Sequence, residues 1–180
     1  MMAETVELSG RTVRLRPVTK ADREALVAIR STEAVHRWWG GDDLKADFDA
    51  DLENSEVKRF TIRDPSSRII GLIQFTEEQD PDYRHACLDI YVDPAVHRRG
   101  HGVDAISALV DFLFDEGGHH RLTIDPAVDN KAAIACYSKV GFKPVGVMRS
   151  YESRNDGSWA DGLLMDMLSS DRPRTPPASA

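Results

Sequence analysis

An α/β fold, with a mixed central β-sheet flanked by helices on both faces, is the architecture this sequence predicts, and three observations carry it. Short apolar runs separated by turn formers occupy much of the first half of the chain. Segments with helical spacing alternate with such runs in the second half, and a glycine-rich junction joins one strand directly to one helix. The chain has 180 residues, 41% of them hydrophobic, which is enough for one compact core and short for two ordinary domains. One domain is therefore expected over residues 1–168, followed over 169–180 by a polar, proline-containing and disordered tail.

The elements follow in order. Thr5 to Val18 alternates around Ser9-Gly10 as a short hairpin or a bent first strand. Thr19 opens a helix: its hydroxyl can cap free amides, Asp22 follows three residues later, and Ala25, Leu26 and Ile29 make the apolar stripe. Leu44 to Leu52 reads as a second helix, and Trp38-Trp39-Gly40-Gly41 between the two reads as a loop. Val57 to Arg63 and Ile69 to Thr76, joined by Asp64-Pro65-Ser66-Ser67, make an antiparallel hairpin, and Ala86 to Val92 is the next strand. Then come a helix over Val103 to Phe114, a short strand over Arg121 to Ile124 and a helix over Lys131 to Val140. Strands over Phe142 to Met148 and Leu163 to Leu168, around Asn155-Asp156-Gly157, close the fold.

Composition narrows the function classes. Thirty Asp and Glu against 23 Lys and Arg give a formal charge of -7, which disfavours nucleic acid and suits a cationic or neutral small partner. Charged residues or glycine interrupt every apolar run, so no membrane span is expected. The N-terminus lacks the apolar run of a signal peptide, and Cys87 and Cys136 form neither a disulfide ladder nor a metal quartet, so the expected compartment is the cytoplasm. His119-His120 and the scattered histidines show no ligand spacing, and no metal is expected. The sequence does not set an oligomeric state.

Chemistry is expected where strand meets helix, at Val92-Asp93-Pro94-Ala95-Val96-His97-Arg98-Arg99-Gly100-His101-Gly102. Gly100 and Gly102 remove side chains where backbone must approach a ligand, and the helix that follows aims free N–H groups and its positive dipole end at that spot. Arg98 and Arg99 add positive charge suited to phosphate oxygens. Such a turn can also exist for tight packing alone. A second cluster runs from Asn130 to Phe142, with Asn130, Ala133, Ile134 and Tyr137 on one helical face and Gly141 at its end.

The two motifs, in this order, resemble the GNAT superfamily of acyltransferases over roughly residues 11 to 168. That family's turn reads Gln/Arg-x-x-Gly-x-Gly/Ala and its later helix Asn-x-x-Ala-x-x-x-Tyr-x-x-x-Gly-Phe. The resemblance implies the GNAT fold and acetyl-coenzyme A as co-substrate. The turn from Arg98 to Val103, with Arg99, Gly100, His101 and Gly102, would hold the pyrophosphate, and Tyr91 to Asp93, Val92 included, would pair with pantetheine through their backbone. It likewise implies that Asn130 contacts the coenzyme and that Tyr137 protonates the departing thiolate. His97 departs from the usual Gln/Arg, Val103 lacks a common hydroxyl, and Asp104 is acidic: it either complements the helix N-terminus or faces the phosphates.

A base is also needed, because an amine must be neutral to attack a thioester. Asp89 interrupts the apolar strand Leu88-Asp89-Ile90-Tyr91-Val92, and alternation puts it with Cys87 and Tyr91 on one face, toward solvent or a cleft. Asp125 ends the next strand in Thr123-Ile124-Asp125-Pro126. Within the superfamily, Trp38-Trp39-Gly40-Gly41 and Thr123-Ile124-Asp125-Pro126 are most similar to aminoglycoside 6′-N-acetyltransferases. That similarity implies Asp89 as base, Asp125 as the grip on the sugar's ammonium groups, and Trp38 or Trp39 as a wall of the substrate cleft. The tryptophans serve equally as a packing anchor. Two other readings remain: an acetyltransferase for protein N-termini or other small amines, and an acyl-coenzyme sensor without catalysis.

Overall fold

In the computed structural model, residues 6–154 and 156–172 are described. Strands β1 (Leu8–Ser9), β2 (Arg14–Pro17), β3 (Lys58–Arg63), β4 (Ile69–Glu78), β5 (His85–Val92), β6 (Arg121–Ile124), β7 (Lys143–Ser153) and β8 (Trp159–Leu168) form one sheet in the order β1-β2-β3-β4-β5-β6-β8-β7. Every neighbouring pair is antiparallel except β5–β6, the parallel pair that needs a crossover helix. The helices are α1 (Arg23–Arg30), α2 (Glu33–Trp39), α3 (Leu44–Glu53), α4 (His101–Asp115) and α5 (Lys131–Val140).

Helices cover both faces, as expected, because the central strands carry apolar residues on both. On one face α4 and α5 bury Ile106, Leu109, Leu113 and Tyr137 against Phe60, Ile73, Leu88 and Leu122. On the other, α1 to α3 bring Leu26, Ile29, Val35 and Phe48 against Leu72 and Tyr91. Alternation along β5 sends Leu88 to one core and Tyr91 to the other.

Three local expectations are corrected. Trp38 and Trp39 lie in a helix, not a loop: Glu33 to Trp39 continue an α-helix whose Val35 is buried, and only Gly40 and Gly41, both at positive φ, break it. The Thr19 hydroxyl caps no amide. It donates to Asp22 (2.8 Å), whose charged oxygens outcompete it as an acceptor and also take the Thr19 N–H and the guanidinium groups of Arg16 and Arg63. Ala25 faces outward rather than joining Leu26 and Ile29. Beyond Leu168 the described chain continues as a short 3-10 turn, Ser169–Asp171, and Arg172 pairs with Asp111 and Asp115 of α4. Residues 173–180 of the expected tail, and Asn155 of the expected turn, lie outside the described residues. None of the described helices is long and apolar enough to cross a membrane.

Asp104 fixes the start of α4 to the β1–β2 turn. Its carboxylate accepts the N–H groups of Arg11 (2.9 Å), Thr12 (2.7 Å) and Val13 (3.1 Å) and the Thr12 hydroxyl (2.9 Å). Burial works to raise its pKa, but these bonds outweigh burial and hold it below the ordinary value. Asp104→Ala should lower the unfolding free energy by about 2–3 kcal/mol, read from urea midpoints, because buried N–H groups lose their acceptor. A carboxyl depressed in the folded state contributes in full above its unfolded value of about 3.9, and that contribution fades as pH falls through the lower folded value. The stability gap between wild type and Asp104→Asn should therefore be full at neutral pH and close in acid.

Candidate active site

The sheet is open at its centre. β5 and β6 pair only through Ala86–Leu122 and Cys87–Thr123, and beyond those residues the two strands part. The β5 side of this gap runs along Leu88 to Val92 and ends at the glycine-rich turn. There the His97 ring places Nε2 2.9 Å from the Val92 carbonyl oxygen, so His97 holds the turn against the strand.

The turn has the form of an anion cradle. Gly100 caps α4 at φ 83, left-handed backbone that suits glycine, and a side chain there would project into open space. The first backbone bond into α4 runs from Asp104 N–H to the Gly100 carbonyl (3.0 Å). Ahead of it, the N–H groups of Gly100, His101, Gly102 and Val103 have no backbone acceptor among the described residues. Arg98 and Arg99 are exposed and make no ion pair among the described residues. Gly102 sits close to Cys136 and Val92, so α4, α5 and β5 converge at this point. The Asp104 carboxylate is taken up by the β1–β2 turn at Arg11, Thr12 and Val13, a role outside its two sequence readings. The remaining ring positions are specific: Tyr91 packs edge-on against Trp39 in the core under α1 to α3, leaving only its backbone at the gap, and His101 turns toward the Thr12 hydroxyl (3.4 Å).

Beside the gap lies a cleft of about 210 Å³ that gathers Trp38, Trp39, Asp89, Asp125, Asn130 and Tyr137, together with Tyr151 and Glu152 of β7. They arrive from α2, β5, the end of β6, α5 with its N-cap, and β7. α2 presents both tryptophans; Trp38 is covered by the Arg37 guanidinium 4.6 Å from its ring centre, and Trp39 is anchored on Tyr91 at 4.8 Å. Trp39 thus both packs on the core and lines the cleft, while Trp38 lines the cleft under Arg37. Asn130 caps α5 by accepting the Ala133 N–H (3.2 Å).

Asp89 is exposed at the cleft surface, yet protein atoms crowd it. That crowding, reinforced by the negative charges of Asp125 and Glu152, pushes its carboxyl up to about 7 against a single bond from the Ile90 N–H (2.9 Å) and the more distant Arg30. A carboxyl near 7 can take a proton at neutral pH. Burial, then Asp89, push the Tyr137 phenol well above the ordinary tyrosine value, so it stays protonated and can donate. Burial and Asp125 push the Cys87 thiol up to about 11, which leaves it unreactive. Glu152 is raised, first by burial and then by Asp125.

Tyr151 and Glu152 escape the sequence reading, which ends the seventh strand at Met148. β7 in fact runs to Ser153 and β8 starts at Trp159, so the hairpin is much longer than its apolar residues indicate. Nearly all of β7 is exposed, and an exposed strand needs no apolar alternation. The usable signal is the turn centred on Asp156: four residues counted outward on each side reach Glu152 and Ala160, which are paired.

Over residues 12–143 the sequence matches the family model described as the acetyltransferase (GNAT) domain. It is 23% identical over 159 residues to the aminoglycoside N(6′)-acetyltransferase type 1 of Klebsiella pneumoniae, covering 78% of each chain. Its fold is similar to the spermidine N-acetyltransferase of Vibrio cholerae solved with CoA and spermine, with a TM-score of 0.76 and 20% identity over 89% of this chain and 97% of that one. RimJ of Mycobacterium smegmatis, solved with CoA-disulfide, gives a TM-score of 0.79 and 22% identity over 94% of this chain and 89% of its own. At these identities the solved structures speak for the fold alone. The central gap, the cradle at its end and the family match over most of the sequence together place this chain in the GNAT family of acetyltransferases.

Proposed function

We propose that the protein transfers the acetyl group of acetyl-coenzyme A directly to a primary amine of a cationic small molecule, with an aminoglycoside 6′-amine as the acceptor. One observation carries the reading: Asp89, a carboxyl poised near neutrality, shares a cleft with two tryptophans and two further acids beside the strand gap. Free N–H groups from Gly100 to Val103 would take the pyrophosphate with Arg98 and Arg99 alongside, and the open edge of β5 through Val92 would take the pantetheine amides. Asp89 removes a proton from the bound ammonium group, directly or through water. Backbone N–H near Val92 meets the developing oxyanion, and Tyr137 protonates the thiolate. Trp38 and Trp39 offer flat faces to sugar rings, and Asp125 holds an ammonium group. The relatedness to an aminoglycoside N(6′)-acetyltransferase supports this acceptor. The free thiols of Cys87 and Cys136 fit a reducing, cytoplasmic setting.

A spermidine N(1)-acetyltransferase of Vibrio cholerae is also similar, at 22% identity over 138 residues, and the acidic cleft suits a linear polyamine as well. The paired indoles favour rings over an alkyl chain. Free-thiol release, measured over a panel of amines, separates the two. A sugar with a 6′-amine should be acetylated and its 6′-hydroxyl counterpart should not; thiol release only with polyamines or N-terminal peptides would remove the sugar assignment.

Acetyl-coenzyme A should raise the melting temperature by mass action, and Gly102→Glu should abolish that shift while the protein still folds. Asp89→Asn and Tyr137→Phe should each lower kcat on the order of a hundredfold or more with little change in coenzyme affinity. Because a base acts only when deprotonated, wild-type kcat/KM should rise with pH through about 7, the value to which Asp89 is pushed. That limb should vanish in Asp89→Asn; its survival would assign the base elsewhere.

A further inference from the structure

The β7–β8 hairpin departs from regular pairing at two places, between Pro144 and Gly146 and between Met148 and Glu152, and the second departure aims two side chains at the cleft. Met148 pairs with Gly162 and Glu152 with Ala160, so Arg149, Ser150 and Tyr151 together face the single residue Asp161. Ser150 takes φ 48, left-handed backbone uncommon for a residue with a side chain, and its N–H is fastened to Asp161 Oδ1 at 2.7 Å. The Tyr151 ring then lies on Gly162: a Cβ at that glycine would sit 2.8 Å from Tyr151 Cδ1. From this seat the Tyr151 hydroxyl donates to Asp125 Oδ2.

The same stretch of β8 also holds the loop that carries Asp125. Val128 N–H bonds the Asp161 carbonyl (2.9 Å) and Leu163 N–H bonds the Pro126 carbonyl (2.8 Å), while Ala127 bridges Gly162. Asp161 and Gly162 thus fix both partners of one hydrogen bond, the phenol from the β7 side and the carboxylate from the β6 side. Without the phenol, Asp125 would be a half-exposed carboxylate free to rotate at the end of a strand.

We infer that Tyr151 is a positioning residue for the acceptor amine: it holds one oxygen of Asp125 and leaves the other aimed into the cleft, so that the site selects acceptors bearing a second ammonium group besides the one that reacts. The inference deepens the reading of a cationic acceptor given above and rests on it. A polycation bound between Asp89 and Asp125 meets a carboxylate already oriented, and loses less freedom on binding. An acceptor with a single amine has no group to place at Asp125 and is indifferent to Tyr151.

The test compares steady-state constants for kanamycin A, spermidine and a monoamine such as benzylamine, in wild type, Tyr151→Phe, Asp125→Asn and the double variant. Tyr151→Phe keeps the ring and removes one oxygen from an exposed residue, so folding should be unaffected. It should raise KM for the polycationic acceptor about five- to tenfold, leave kcat within twofold, and leave the monoamine constants unchanged. Asp125→Asn should raise the same KM, and adding Tyr151→Phe to it should change little more, because one residue acts through the other. Asp161→Asn, which keeps an acceptor for the Ser150 N–H, should resemble wild type, whereas Asp161→Ala should resemble Tyr151→Phe. Equal KM in wild type and Tyr151→Phe, equal loss with polycation and monoamine, or additive losses in the double variant would each overturn the inference. Turnover of kanamycin A with an unchanged KM in Tyr151→Phe would overturn it while the sugar assignment stands. Turnover of spermidine alone with a raised KM would sustain it while the sugar assignment falls. No turnover of either polycation would remove both.

Discussion

The parting of β5 and β6 is the constraint from which the rest of the architecture follows. A parallel pair held at two positions leaves a wedge in the middle of the sheet, with strand backbone exposed along one side. Such a wedge would be costly if both layers of helices did not brace its sides, because unpaired strand edges and unfilled volume both destabilise. α4 and α5 pack one face, α1 to α3 pack the other, and β8 pairs the far side of β6 through Met165 to Leu168. The wedge stays open because its two sides are separately supported, and β5 leads from it to the α4 turn, where four N–H groups have no backbone acceptor among the described residues. A coenzyme with a long amide-bearing arm and a pyrophosphate complements both features at once.

Carboxylates in this protein divide by how many donors they meet. Asp22 accepts from Thr19, Arg16 and Arg63, and Asp104 accepts from Arg11, Thr12 and Val13; both are buried, Asp22 tying the start of α1 to β2 and β3 and Asp104 tying the start of α4 to the β1–β2 turn. Asp89 lies among crowding protein atoms with one backbone donor and two acidic neighbours. A satisfied carboxylate is stabilised as an anion, whereas an under-satisfied one moves toward proton uptake, which is the property a base at neutral pH requires.

Much of this was legible in the sequence wherever burial imposes a pattern. Alternation along Leu88 to Val92 placed Asp89 and Tyr91 on one face, and helical spacing from Asn130 to Tyr137 placed the tyrosine inward; the structure has both. The sequence reading started this helix at Val103, two residues after its observed start at His101, between the two glycines of the turn. Patterns failed where no core imposes them. Trp38-Trp39-Gly40-Gly41 suggested a loop because its glycines are conspicuous, yet a helix needs only one buried residue, Val35, to dock seven. The exposed β7 carries almost no alternation, so Tyr151 and Glu152 were invisible, and their arrival in the cleft depends on a bulge that only the pairing register reveals.

That distribution bears on how the site divides its labour. Asp89 and Tyr137 stand on β5 and α5, elements locked into the main core, where a shift in one side chain disturbs many others. Tyr151 and Glu152 stand on an edge hairpin whose outer strand buries almost nothing, and whose contact with the cleft is fastened by a few bonds at Asp161, Gly162 and Asp125. Substitutions there cost little core packing, because there is little to lose. On the proposed reading, the two proton-transfer residues are held by the part of the fold least tolerant of change, and Tyr151 and Glu152 by the part most tolerant of it. Acceptor range can be altered at the hairpin while the wedge, the cradle and the proton-transfer groups keep their geometry.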